Sequence, residues 1–101
     1  MASQDNSGWS PPEDATDSTQ KICAPVKLQV EIETSQNYGV YKAVQYRKQM
    51  MGRKNFTIKV SVGGESYIHL GVFQQLPGDG GKVELVNIEV GKTKDDPLGT
   101  F

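Results

Sequence analysis

Val26-Lys27-Leu28-Gln29-Val30-Glu31-Ile32-Glu33 can be read in two ways, and the choice decides the fold. Apolar and polar residues alternate along it, which is the pattern of a half-buried strand. Yet Ile22, Val26 and Val30 recur four residues apart, the spacing of one helix face. Asp17 or Ser18 upstream can serve as a helix N-cap. Pro25 counts against an uninterrupted helix, because it lacks an N–H and its ring crowds the preceding turn. Read alone, residues 26–33 favour a strand.

The downstream sequence reverses that preference. Residues 40–50 are rich in alternating and β-favouring side chains. Phe56, Ile58, Val60 and Val62 alternate with Thr57, Lys59 and Ser61, which predicts a half-buried strand. Gly63-Gly64 then supplies a tight turn. Residues 67–75 form a further strand, and Leu76-Pro77-Gly78-Asp79-Gly80-Gly81 is a loop enforced by Pro and Gly. Residues 83–90 form the last strand. Four strands joined by short loops make an antiparallel meander. A meander of that size needs a cover over one face. Residues 17–34 are the one segment available, which argues for a helix there, distorted near Pro25, and an α+β fold, while the residues alone leave the strand reading of 26–33 open.

The 101 residues suit one domain with a modest core. A net charge of −1 supplies no electrostatic attraction to nucleic acid or an anionic membrane. No apolar run is long enough to span a bilayer. The polar start of the chain lacks the apolar stretch of a signal peptide. With one cysteine, Cys23, no intramolecular disulfide can form. These features predict a protein of the reducing cytosol. In that setting Asn55-Phe56-Thr57 is a chance glycosylation match inside a strand.

Residues 1–16 are expected to form a flexible arm, because their composition cannot offset the entropy of ordering. Trp9 stands out in it, either folded back on the domain or serving as an anchor for a partner. Catalytic chemistry has little to work with. His69 is read as a structural side chain bonded within the sheet, and neither it nor Cys23 sits in a nucleophile motif. No Cys and His have zinc-ligand spacing. Glu13, Asp14 and Asp17 read as a solvated acidic run. The glycines at 63–64 and 78–81 join strands and lead into no helix, so they make no phosphate loop. The expectation is a binding domain that works through its loops, with no metal or cofactor.

Several short motifs then carry a resemblance. Tyr38-Gly39, Ala43-Val44-Gln45-Tyr46, Gln49, Asn55-Phe56 and Ile58-Lys59-Val60 resemble the central hairpin of the stefins. These are the cytosolic, disulfide-free branch of the cystatin inhibitors of cysteine proteases. Tyr67-Ile68-His69-Leu70 with Val72-Phe73 resembles the next strand of that family, and Leu76-Pro77-Gly78 its second binding loop. Lys94-Asp95-Asp96, Leu98 and Phe101 resemble its C-terminal signature. The match runs from about Thr19 to Phe101, within a domain assigned to residues 17–101.

The resemblance implies a cystatin-like fold, one helix laid across a curved sheet of four main strands. It also implies reversible, competitive inhibition of papain-like cysteine proteases of the cathepsin type. The inhibitor would be a cytoplasmic monomer, with a domain-swapped dimer as the alternative. A wedge would enter the protease cleft, built from the arm at Gly8 and Trp9, a first loop at Gln49, Met50, Met51, Gly52 and Arg53, and a second at Leu76, Pro77 and Gly78. The family's first loop reads Q-x-V-x-G. Here Met51 stands at the Val position and Arg53 at the final Gly. An alternative is therefore a stefin-fold protein with weakened or lost inhibition, acting as an interaction module.

Overall fold

The computed structural model describes residues 8–51, 53–75, 78 and 80–99. The elements run β1 (Glu13–Asp14), α1 (Asp17–Cys23), a 3-10 turn (Ala24–Val26), α2 (Lys27–Thr34), β2 (Lys42–Met51), β3 (Arg53–Ser61), β4 (Tyr67–Gln74) and β5 (Val83–Lys92). All strands join one antiparallel sheet in sequence order. The expected helix across a meander is present. The sheet has five strands rather than four, the addition being the two-residue β1 that pairs with β2.

Thr16, not Asp17 or Ser18, caps the helix. The Thr19 N–H donates to Thr16 Oγ1 at 3.4 Å, and the Thr16 N–H donates to Thr19 Oγ1 at 3.0 Å. Pro25 acts as expected and converts one turn to 3-10 geometry without ending the helical run. Ser35, at φ +57, terminates α2 in the left-handed conformation.

Cys23, Val26 and Val30 lie on the inner side of this run and pack on Phe56, Ile58, Val60, Ile68, Leu70 and Val72. Leu28 and Ile32 point away and are 69% and 70% exposed. The alternation that suggested a strand thus combines two inward residues with two outward apolar ones. Gln20 fastens the helix to β2: its Nε2 donates to the Tyr41 carbonyl at 3.1 Å, and its Oε1 accepts from the Ala43 N–H at 2.8 Å. Tyr41 Oη adds a bond to the Cys23 carbonyl at 2.8 Å.

The opposite face of the sheet was expected to be solvated, and this is corrected. Residues Phe56 to Val60 are all buried, Thr57 and Lys59 included. The segment after β5 folds back over that face and seats Leu98 there. Lys59 Nζ donates to the carbonyls of Lys94 (2.6 Å) and Asp96 (2.7 Å), so the buried ammonium is solvated by backbone. Phe101 lies outside the described residues.

His69 pairs across the sheet with Lys59 and Glu89 on this outer face. It is buried, but the expected bonding within the sheet is corrected: among the described residues neither ring nitrogen has a hydrogen-bond partner, and Glu89 Oε1 is 3.8 Å from Nδ1. Burial first, then Lys59 and Lys92, lower its pKa below the ordinary 6.5, against weaker opposition from Glu89 and Asp96.

The folded value lies below the unfolded one, so the unfolded chain takes up this proton first. Stability from His69 is therefore present above about pH 6.5 and is lost as pH falls from there through the folded pKa. Melting temperatures of the natural chain and of His69→Phe, measured from pH 7.5 to 5, should converge as the pH falls. Parallel curves would show that this ring does not couple to folding.

Candidate functional site

Strand register brings the sequence-predicted segments to one end of the sheet. β2 ends at Met51 and β3 begins at Arg53, and these two residues pair, as do Met50 with Lys54 and Gln49 with Asn55. The first hairpin therefore turns at the predicted place. Its tip residue Gly52 lies outside the described residues, and Met50, Met51 and Arg53 are placed by strand register.

Lys54 pairs in turn with Gln74, the last residue of β4. The β4–β5 loop thus emerges beside the first hairpin. The Gln75 N–H donates to the Lys82 carbonyl at 2.8 Å and closes that loop, which Gly80 and Gly81 enter with φ of +107 and +65. Leu76 and Pro77 lie outside the described residues, whereas Gly78 is described and exposed.

The third segment arrives from the chain start. Trp9 forms an antiparallel bridge with Gln49, and the Ser10 N–H donates to the Lys48 carbonyl at 2.8 Å. The Lys48 N–H returns a bond to Ser10 Oγ at 3.1 Å. Arg47 ties two termini together: Nε donates to the Ser10 carbonyl at 2.9 Å and Nη1 to the Leu98 carbonyl at 3.0 Å. Of the two readings of Trp9, the structure has the side chain packed on the domain, 3% exposed. Gly8 precedes it with φ +79, a conformation that favours glycine.

The structure separates the two residues a cysteine enzyme would need. Cys23 belongs to the core beneath the helix, with Leu70. His69 is next to Leu70 in β4, so its side chain points to the opposite face. The sheet stands between them. Burial also pushes the Cys23 thiol up to about 11, which keeps it protonated at neutral pH.

Two shallow cavities of about 440 and 390 Å³ flank the helix, one against Leu85 and Ile88 of β5 and one against Tyr46 and Phe56. The second reaches Lys48, Lys54 and Gln74 near the loop end, and neither lining holds a Cys or His. Among the described residues no group of three or more His, Cys, Asp or Glu could hold a metal, and no helix is long and apolar enough to cross a membrane.

The 76–81 loop was legible from its Pro and Gly, and the expected binding role of both loops came from the resemblance. Sequence reasoning missed Arg47, Ser10 and Lys48, which hold the arm to the hairpin. The signal available was Arg47 on the outward-facing parity of a strand, too common a placement to single out.

The family model described as Cystatin domain matches residues 7–95. Leukocyte cysteine proteinase inhibitor 1 of Sus scrofa is 42% identical over 94 residues, covering 93% of this chain and 91% of that protein. Cystatin-A of Homo sapiens is also 42% identical, covering 93% of this chain and 96% of its own length. Cystatin-B of Homo sapiens is 39% identical, with 86% and 89% covered.

Arg47→Ala removes the bonds to the Ser10 and Leu98 carbonyls. Amide hydrogen exchange at Ser10 and Lys48 should then accelerate about tenfold, a loss of roughly 1.4 kcal/mol of local stability, while Ile58 and Leu70 stay protected. Unchanged exchange at Ser10 and Lys48 would show that Arg47 does not hold the arm.

Proposed function

We propose, from the premise that this chain belongs to the cystatin family, that it is a reversible, competitive inhibitor of papain-like cysteine proteases and not an enzyme. The name of the Sus scrofa relative, a leukocyte cysteine proteinase inhibitor, supports the reading. The observation that carries it is the convergence of Gly8, the 49–53 hairpin and the 75–82 loop at one end of a rigid sheet. Three chain segments side by side at one end of a sheet suit a narrow cleft better than they suit a small molecule.

The mechanism follows from the shapes. Gly8 permits close backbone approach to the cleft wall. In this reading Gln49, Met50, Met51, Gly52 and Arg53 supply the central contact with the protease, and Leu76, Pro77 and Gly78 the outer one. The wedge fills the cleft without laying a peptide bond in line with the catalytic thiol, so the inhibitor is not cut. A cytosolic setting keeps Cys23 reduced, and the chain acts as a monomer, with strand exchange to a dimer as the alternative.

A second reading, a stefin-fold interaction module with weakened inhibition, is favoured by one observation: Arg53 stands where the family's first loop has Gly. A tip that enters a narrow cleft has room for Gly. Arg adds a long side chain whose charge persists at any working pH. Buried in an interface, that charge must be desolvated, at a cost unless a carboxylate meets it. Met51 is flexible and can refit a pocket, so it matters less.

Titration of papain and several cathepsins with the natural chain tests the proposal. Competitive inhibition by a one-to-one complex is expected, and its absence against all of them would leave the interaction module. Overpacking at a tight contact costs on the order of 1–3 kcal/mol. Met51→Val with Arg53→Gly should therefore tighten inhibition roughly ten- to a hundredfold. A double variant no better against any protease would show that this loop does not limit binding. A protease inhibited more weakly by the double variant would mark Arg53 as a specificity device.

A further inference from the structure

We infer that Trp9 is a positioning residue: its indole locks the N-terminal arm to the sheet, so that Gly8 is held beside the first hairpin before any partner arrives. This deepens the inhibitor reading above and rests on it.

The chain has one tryptophan, and it is buried close to the chain start. A side chain 3% exposed has almost no surface to offer a partner. What it can supply is position. Cross-strand register shows where. Gln49 pairs with both Trp9 and Asn55, and Asn55 pairs with Phe73. Cross-strand partners share a face, so Trp9 lies in a row on the outer side of the sheet. Asn55 Nδ2 donates to Gln49 Oε1 at 2.9 Å and fixes the middle of that row.

The arm is attached at two places. Glu13 and Asp14 pair with Tyr46 and Gln45. Trp9 and Ser10 then attach at Gln49 and Lys48. From Trp9 to Glu13 the arm advances four residues, while β2 advances three from Tyr46 to Gln49. Pro11 and Pro12 occupy the extra length. They have no N–H to leave unpaired, and their fixed φ makes the link between the two attachments stiff. Gly8 therefore leaves the sheet from a defined point. Gln49 is two residues from the end of β2 at Met51, about 6–7 Å along the strand. With Trp9 undocked, the arm would be held by β1 and by the hydrogen bonds of Ser10 to Lys48 and Arg47, with no side chain fastening it beyond Ser10. The freedom of Trp9 and Gly8 would then have to be lost on binding, and that ordering opposes affinity.

A position effect and a contact effect differ in a double-variant cycle. Dissociation rates of the papain complex are compared for the natural chain, Trp9→Ala, a chain lacking residues 1–8, and the two changes combined. Trp9→Ala should speed dissociation about tenfold in the full chain, the scale of freezing a few rotatable groups. In the shortened chain it should change the rate less than about twofold, because nothing remains to be positioned. Trp9→Phe should recover most of the loss. An equal effect in both backgrounds would make Trp9 a contact or a fold support, and no effect in either would deny it a role; both overturn the inference.

A readout without protease keeps the two proposals apart. Fluorescence of the free chain reports Trp9 alone. Its emission should be blue-shifted and shielded from acrylamide, and Trp9→Ala should raise amide exchange at Ser10. Quenching as ready as that of free tryptophan overturns the anchor even if inhibition is strong. A shielded Trp9 in a chain that inhibits no papain-like protease would instead sink the inhibitor reading, and with it the positioning role.

Discussion

Residues Phe56 to Val60 of β3 are buried on both faces, and the other elements are arranged to meet that constraint. A central strand with one wet face needs one cover. This strand needs two. On the inner face the cover is the helical run from Asp17 to Thr34, carrying Cys23, Val26 and Val30. On the outer face it is assembled from both ends of the chain, Leu98 from one and Trp9 from the other. Lys59 is the fastening point, because its buried ammonium is left without hydrogen-bond acceptors unless the Lys94 and Asp96 carbonyls come to it. A buried donor that depends on distant carbonyls makes the C-terminal segment part of the fold.

That arrangement determines what is left for function. Both sheet faces are used for stability, and a lateral approach meets either the helix or the returning chain. At the end of the sheet where β2 turns into β3 and β4 leaves for β5, Met51 pairs with Arg53 and Lys54 with Gln74. In the proposed function, binding at that end uses loops whose bases are held by paired strands, while the tips can vary in sequence. Arg47 links the two systems, since one guanidinium holds the Ser10 carbonyl of the arm and the Leu98 carbonyl of the outer cover. A change at either terminus is therefore felt in the middle of β2.

Much of this was readable from the residues. Four strands, the Gly63-Gly64 turn and the 76–81 loop follow from alternation and from Gly and Pro, which are local properties. The α2 segment shows where local reading fails. Leu28 and Ile32 complete an apolar alternation with Val26 and Val30, and no local rule says that they face solvent. The two-residue β1 was invisible for a similar reason: Glu13-Asp14 has no strand propensity, and its pairing is with Tyr46 and Gln45, far along the chain. His69 was read as bonded within the sheet, but the partners a buried ring finds depend on which segment folds over it.

The strand succession, the placement of the loops and, through the motifs, the family whose wedge those loops resemble are legible along the chain, because each is written in spacing of a few residues. The burial of Thr57, Lys59 and His69, the docking of Trp9 against the domain and the hold of Arg47 on both flanking segments come from the folded arrangement alone. Those outcomes depend on contacts between residues dozens of positions apart. For Lys59 and the carbonyls it serves, the separation is 35 and 37 residues. Burial of that kind is a property of which surfaces meet, and alternation along one strand carries no information about what lies across it.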